Sequence, residues 1–114
     1  ELLHVLVNLI TNAVHAMEHS GGTLTIETTV HNGQVDIRIS DTGSGIAPDK
    51  IPEIFEPFFT TKAPGKGTGL GLYNVKTIVD KMHGTIAVDS RIDQGTTFTL
   101  TFPNAEPAGQ GSLL

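Results

Sequence analysis

Residues 23–40 read Thr-Leu-Thr-Ile-Glu-Thr-Thr-Val-His-Asn-Gly-Gln-Val-Asp-Ile-Arg-Ile-Ser, and this stretch decides the fold class. Its two arms, 23–30 and 34–40, alternate apolar with polar residues and are rich in β-branched side chains, the pattern of half-buried strands. Between them, His31-Asn32-Gly33 supplies the Asn-Gly pair of a tight hairpin turn. Working towards the N-terminus, residues 1–17 predict an amphipathic helix, with Leu2, Leu3, Leu6, Ile10, Ala13 and Met17 at three- and four-residue spacing. Ser20-Gly21-Gly22 is its expected stop. No Ser, Thr, Asp or Asn precedes Glu1 to cap this helix, and no initiating Met is present. The expectation is a piece cut from a longer protein, inside or just before its first helix. Towards the C-terminus, residues 41–69 are punctuated by glycine and proline, with one helical turn expected around 49–55. A second helix is predicted over 71–82, with Leu72, Val75, Ile78, Val79 and Met82 as its apolar face and Gly84 as its stop. Two further strands fit 84–90 and 96–102, joined through Asp93-Gln94-Gly95, and Pro103 ends the sheet. Hairpins with helices interposed make this α+β, with helices packed on one face of a mixed, mainly antiparallel sheet. Residues 1–103 form the expected domain. Residues 104–114, rich in Pro, Gly and Ala, are an expected disordered tail.

Composition narrows the function classes. The chain has 114 residues, 38% of them hydrophobic and 17% charged, with a formal net charge of −5. That length is one domain with a modest core. The acidic balance disfavours wholesale binding of nucleic acid or anionic membrane. Any phosphate must therefore be held locally, by backbone amides, a metal or a few lysines. With no cysteine, disulfides, thiolate zinc sites and cysteine nucleophiles are excluded, which fits a reducing compartment. No run reaches the ~18 apolar residues of a membrane span.

Four segments carry chemistry. Asn8 and Asn12 sit four apart on one helical face, with His15 three further on. Their amides either cap and bridge neighbouring elements or offer oxygen to a hard cation such as Mg²⁺, which takes few protein ligands. Asp41-Thr42-Gly43-Ser44-Gly45-Ile46 follows a strand directly. Its alternate glycines would admit a planar ring and its carboxylate would accept from an exocyclic amine, although a plain turn uses the same residues. Gly65-Lys66-Gly67-Thr68-Gly69-Leu70-Gly71-Leu72 opens the second helix. Unpaired amides and the positive dipole end converge there, an anion site by construction, with Lys62 and Lys66 flanking it. A flexible linker is the bland alternative. The order of a Walker loop is absent, and no strand directly precedes the segment as in a Rossmann turn. Finally, Phe55-Glu56-Pro57-Phe58-Phe59-Thr60-Thr61-Lys62 holds three of the five phenylalanines, either as a local core cluster or as the anchor of a mobile flap.

Taken together and in this order, Asn-x3-Asn, Asp-x-Gly-x-Gly-Ile, Phe-x-Pro-Phe-Phe and Gly-x-Gly-Leu-Gly-Leu resemble the ATP-binding catalytic domain of sensor histidine kinases. That domain belongs to the wider group shared with gyrase, MutL and the heat-shock chaperone ATPases. The resemblance covers residues 1–103, and the short gap from Lys62 to Gly67 is similar to the short ATP lid of nitrogen-regulation-type kinases. It implies the Bergerat-type ATP-binding fold, a two-layer α/β sandwich, and ATP and Mg²⁺ as cofactors. By the family pattern Asn12 is the Mg²⁺ ligand, with Asn8 one turn earlier near the phosphates. Asp41 receives the adenine amino group, Gly43 and Gly45 give the ring room, and Ile46 packs on it. Gly67, Gly69 and Gly71 cradle the phosphates through their amides, with Thr68 and Leu70 between them and Lys62 reaching in from the lid. Thr96 touches the adenine site. His15 stands where many members carry Lys or Arg, and a neutral imidazole adds little to phosphate binding. His15 and His19 form an i, i+4 pair with no acidic ligand nearby, a poor zinc site.

The resemblance also implies what lies elsewhere. Such kinases phosphorylate a histidine on a separate dimerisation domain, normally followed by an acidic residue. None of His4, His15, His19, His31 or His83 is followed by Asp or Glu. The chain is therefore expected to bind ATP yet not to phosphorylate itself, to be monomeric as a piece of a homodimeric parent that signals to a response regulator, and to be cytoplasmic whether or not that parent is anchored in a membrane. Three rival readings remain. ATP-hydrolysing relatives use a glutamate where Asn8 stands, and asparagine is no general base. A serine kinase of the same group fits the Phe-rich segment poorly. A degenerate interaction module would not need the polar groups that are all present.

Overall fold

A computed structural model describes residues 1–59 and 71–103. The order of elements is α1 (Leu2–Ala16), β1 (Leu24–His31), β2 (Gln34–Asp41), a single 3-10 turn (Ile51–Glu53), α2 (Gly71–Lys81), β3 (Thr85–Arg91) and β4 (Gly95–Pro103). The four strands form one sheet in the order β1-β2-β4-β3. Every neighbouring pair is antiparallel. The parallel neighbours that a mixed sheet requires are thus absent among the described strands, for a topological reason. β2 and β3 run in the same direction and are linked by the connection carrying α2, but β4 lies between them and pairs with both.

The β1–β2 hairpin closes as its Asn-Gly pair requires. His31 pairs with Gln34, and the two loop residues Asn32 and Gly33 both take positive φ, 48° and 74°. This is the condition for a primed turn whose twist matches the strands. α1 ends at Ala16, and Met17 turns the chain out of the helix with its N–H on the Ala13 carbonyl, 3.2 Å. Its first residue has no side-chain cap, consistent with the lack of a capping residue before it. α2 ends in a Schellman motif: the Gly84 N–H reaches the Val79 carbonyl at 3.0 Å and the His83 N–H the Asp80 carbonyl at 3.1 Å. The left-handed residue is His83, φ 61°, rather than Gly84. Gly84 is needed for a different reason: a Cβ there would sit 2.5 Å from the Phe102 ring and 2.8 Å from the Thr101 carbonyl.

Burial follows the strand alternation. On β4, Phe98, Leu100 and Phe102 point towards the helices and are almost fully buried, opposite Ile39, Ile37 and Val35 of β2. Leu2, Val5 and Leu9 of α1, Val75 and Val79 of α2, and Ile54 complete the core. The Phe-rich segment divides: Phe55 packs edge-on against Phe98, Phe59 also lies against the core, and Phe58 projects outward, about three-quarters exposed. The other face of the sheet is polar. It carries Asp36, which accepts from Thr101 Oγ1 at 2.9 Å and meets His31 Nε2 at 2.8 Å, and a Ser40–Thr97 hydroxyl pair at 3.0 Å. Helices on one face and a polar opposite face make the α+β architecture predicted from the strand pattern, in the two layers that the resemblance implies. Among the described residues no helix is long and apolar enough to cross a membrane.

Candidate nucleotide site

The helix-facing side of the sheet changes character at one end. The row Ile39–Phe98–Val88 is apolar, and the next row along is Leu24–Asp41–Thr96–Ser90. Asp41 and Thr96 are the only buried polar side chains among the described residues. Burial pushes the Asp41 carboxyl above the usual aspartate range, and backbone N–H groups of Gly43 and Thr96 partly offset that by bonding the charged form. The Gly43 contact is 2.9 Å to Oδ1. A buried carboxylate with remaining lone pairs at a sheet end is suited to accept from an amine.

The loop after Asp41 is held by two backbone–backbone hydrogen bonds and one from backbone to a side chain. Ser44 N–H donates to the Ala16 carbonyl at the end of α1, 3.1 Å, and the Ser44 carbonyl accepts from Asp93 N–H in the β3–β4 turn, 2.8 Å. Ile46 N–H donates to Ser90 Oγ, 2.8 Å. The glycines serve this seating directly. A Cβ at Gly43 would meet the Ala16 carbonyl oxygen at 2.5 Å, and one at Gly45, whose φ is 76°, would overlap the Arg91 carbonyl. The space beside both glycines is occupied by protein backbone, so the residue type is required by the fold even before any ring is considered. Ile46 lies against the hydrophobic core. An open recess of about 170 Å³ wraps this end of the sheet, lined by Asp41, Ser90 and Thr96, by Asp89 and Thr97 of the opposite face, and by the β3–β4 turn, smaller than the roughly 300–1,000 Å³ of ligand clefts.

The asparagine pair occupies the other end of the same surface. Asn8 Nδ2 donates to the His4 carbonyl one turn back, 3.0 Å, which turns Oδ1 outward. That oxygen lies 3.4 Å from where a Gly71 Cβ would be, so Asn8 stands beside the start of α2. Asn12 follows one turn later, half-buried. His15 is half-buried, with Nδ1 sealed from solvent and without a hydrogen-bond partner. His19 is fully exposed beside Glu18, and no group of three or more His, Cys, Asp or Glu converges on a metal position among the described residues.

The structure therefore brings Asp41, Gly43, Gly45, Ile46 and Thr96 to one corner and Asn8 and Gly71 to another, with Asn12 and His15 on the helix between. Lys62, Gly67, Thr68, Gly69 and Leu70, and the tail 104–114, lie outside the described residues. Ser90 was missed by the sequence reading, although a signal existed: along β3 it continues the inward register of Ile86 and Val88, where a polar residue is out of pattern.

The family described as "Histidine kinase-, DNA gyrase B-, and HSP90-like ATPase" matches residues 1–106. The sensor histidine kinase ZraS of Salmonella typhi is 45% identical over 103 residues, 90% of this chain and 22% of the relative. Sporulation kinase A of Bacillus subtilis is 43% identical over 103 residues, 90% of this chain and 16% of the relative. The chain thus spans about a fifth of the length of such curated relatives. Among solved structures, full-length ShkA in complex with AMPPNP superposes with a TM-score of 0.75 at 36% identity, covering 90% of this chain and 21% of that one. The nucleotide-free catalytic domain of the histidine kinase ThkA gives 0.75 at 34% identity, covering 88% and 64%. The chain belongs to the histidine kinase-, DNA gyrase B- and HSP90-like ATPase family, and within it is an ATP-binding catalytic domain of the sensor histidine kinase type.

Proposed function

We propose that this domain binds Mg-ATP across the two corners of α1, with the base on Asp41 and the phosphates over Asn8, Asn12 and the start of α2. The observation that carries the reading is the spacing of those corners. Asn8 faces Gly71 and Ala16 holds the loop after Asp41. Eight residues of helix separate them, about 12 Å at 1.5 Å per residue, a span on the scale of an extended nucleoside triphosphate. The base end offers a buried carboxylate and the phosphate end a helix N-terminus, which favours anions. Lys62 and the backbone amides of Gly67, Gly69 and Gly71, with Thr68 and Leu70 between them, are assigned to the phosphates.

The donor set suits magnesium. With no convergent acidic or histidine cluster described, an ion here would rest on amide oxygen, phosphate and water, the ligation Mg²⁺ accepts. Asn12 would hold it, with Asn8 Oδ1 nearby. When bound, the ion neutralises charge on the phosphates. The chain itself then positions: Asp41 orients the base, the α2 terminus holds the triphosphate, and the γ-phosphate is presented for in-line attack.

Within the full-length protein, the acceptor is a histidine on a separate dimerisation domain, in a homodimer whose phosphoryl group passes on to a response regulator. The domain works on the cytoplasmic side, whether or not the parent is anchored in a membrane. This chain supplies no catalytic residue of its own beyond those that hold ATP, and 1–103 acts as the unit. Calorimetric titration with a non-hydrolysable ATP analogue, with and without Mg²⁺, tests the reading. Micromolar-range binding that strengthens with Mg²⁺ is expected. No binding by a chain that melts cooperatively would refute it. Incubation with labelled ATP should leave the isolated chain unlabelled, whereas a supplied helical domain carrying the acceptor histidine should gain label.

A further inference from the structure

The geometry points to Ser90 as a positioning residue that sets base selectivity, by forcing the Thr96 hydroxyl to present itself to the nucleotide as an acceptor. The inference rests on the nucleotide reading above and deepens it. Ser90 Oγ has three partners: Ile46 N–H at 2.8 Å, the Gly95 carbonyl at 3.0 Å and Thr96 Oγ1 at 2.8 Å. An N–H only donates and a carbonyl only accepts, and Ser90 owns one proton. A single assignment satisfies all three contacts: Ile46 donates to Ser90, Ser90 donates to Gly95, and Thr96 donates to Ser90.

The Thr96 proton is thereby committed to the β3 side. Thr96 stands between Ser90 and Asp41 in the polar row across the sheet, so its lone pairs are left for the Asp41 side. Asp41, ionised, is also an acceptor there, with Gly43 and Thr96 N–H groups already on it. Two adjacent, buried acceptors suit a 6-amino purine, which offers N–H groups. They disfavour a 6-oxo purine, which offers the single N1–H beside a carbonyl, so that one buried acceptor is left facing lone pairs and unpaired, whereas one amino group brings two N–H donors. Without Ser90 the Thr96 proton loses its acceptor. The hydroxyl then turns to donate towards Asp41 or the ligand, and the discrimination collapses.

The test compares ATP with inosine triphosphate, which differ at the 6-position (amino against carbonyl) and at N1 (acceptor against N–H), by calorimetry on the 114-residue chain. Wild type should prefer ATP. Ser90→Ala should narrow the ATP-to-ITP affinity ratio about tenfold, the scale of one hydrogen bond in a buried site. Ser90→Thr, which keeps a hydroxyl, should restore the ratio. Thr96→Val should narrow it similarly, and the double variant should add nothing further. Equal weakening of both nucleotides in Ser90→Ala would mark Ser90 as merely structural and overturn the inference. Should that variant fail to melt cooperatively, an unchanged ratio in Thr96→Val would overturn it equally. Wild type that binds neither nucleotide would overturn the nucleotide reading itself, and the inference with it.

Discussion

Replacing Gly43 by alanine separates steric from conformational demands on a glycine. Gly43 lies outside the left-handed region, so an added methyl carries no φ penalty. Its cost is spatial: the Cβ would meet the Ala16 carbonyl oxygen at 2.5 Å, its carbon at 2.7 Å and the Ala16 Cβ at 2.8 Å. Reaching ordinary contact near 3.4 Å requires a retreat of about 0.9 Å from that oxygen, against backbone at a helix end that cannot rotate away. The Ser44 N–H to Ala16 bond, 3.1 Å, is then stretched out of range. Losing it costs about 1 kcal/mol, and the displacement about 1–3 kcal/mol more, for a total of roughly 2–4 kcal/mol. For a domain of this size that lowers the melting temperature by roughly 10–25 °C. The Gly43 N–H also holds Asp41 Oδ1, so ATP affinity should fall about tenfold. The control is Gly33→Ala, where φ is 74° and nothing lies within 4 Å. It should cost only about 1–2 kcal/mol and leave ATP binding untouched. Thermal melts and calorimetry on both variants decide the matter. A Gly43→Ala chain as stable as Gly33→Ala, with unchanged ATP affinity, would refute the packing argument.

Other expectations follow from the same contacts. Asp41→Asn should weaken ATP binding roughly 10- to 100-fold, the range for a hydrogen bond to a charged group. Without ligand its melt should stay within about 1 kcal/mol of wild type, because a desolvated charge is removed along with one acceptor. The raised Asp41 pKa has two pH consequences of opposite sign. The folded state binds this proton more readily than the unfolded chain, so ligand-free stability declines as pH rises from the ordinary aspartate range through the raised value. ATP affinity, which needs the carboxylate, should rise over that same window; carboxyl NMR and calorimetry across pH check both. On the opposite face, the His31 and Thr101 hydrogen bonds hold Asp36 below the usual range. Its contribution is complete above the ordinary aspartate pKa and disappears as pH falls through the lowered one, as a carboxyl titration in wild type and His31→Ala should reveal. Phe102→Ala empties a fully buried position in the central strand and should cost about 3–5 kcal/mol in a denaturant titration.

Much of the fold was legible because it is written in neighbours a few residues apart. Alternation placed the strands, three- and four-residue spacing placed α1 and α2 within a residue or two, and Asn32-Gly33 specified a two-residue hairpin. The spacing of Asp41-x-Gly-x-Gly and Asn-x3-Asn likewise picked out residues that the structure places at the two polar corners. Local patterns were less informative about reasons. Gly84 was read as a helix stop, yet His83 takes the left-handed position and Gly84 makes room for Phe102. Gly43 and Gly45 were read as room for a ring, yet backbone from α1 and the β3–β4 turn already lies against them.

Strand character and turn type follow from the intrinsic preferences of adjacent residues, and no distant segment is needed to express them. Which strands become neighbours follows from burying faces that lie far apart in the chain. That burial alone places β4 between β2 and β3, so that Ser40 meets Thr97 across 57 positions and Ser90 and Asp41 flank Thr96 in one row. The same packing sets Asn8 beside Gly71. The residue types of the site were present in the order of the amino acids; their meeting is a property of the packed core, because only burial of the shared apolar faces holds those segments together.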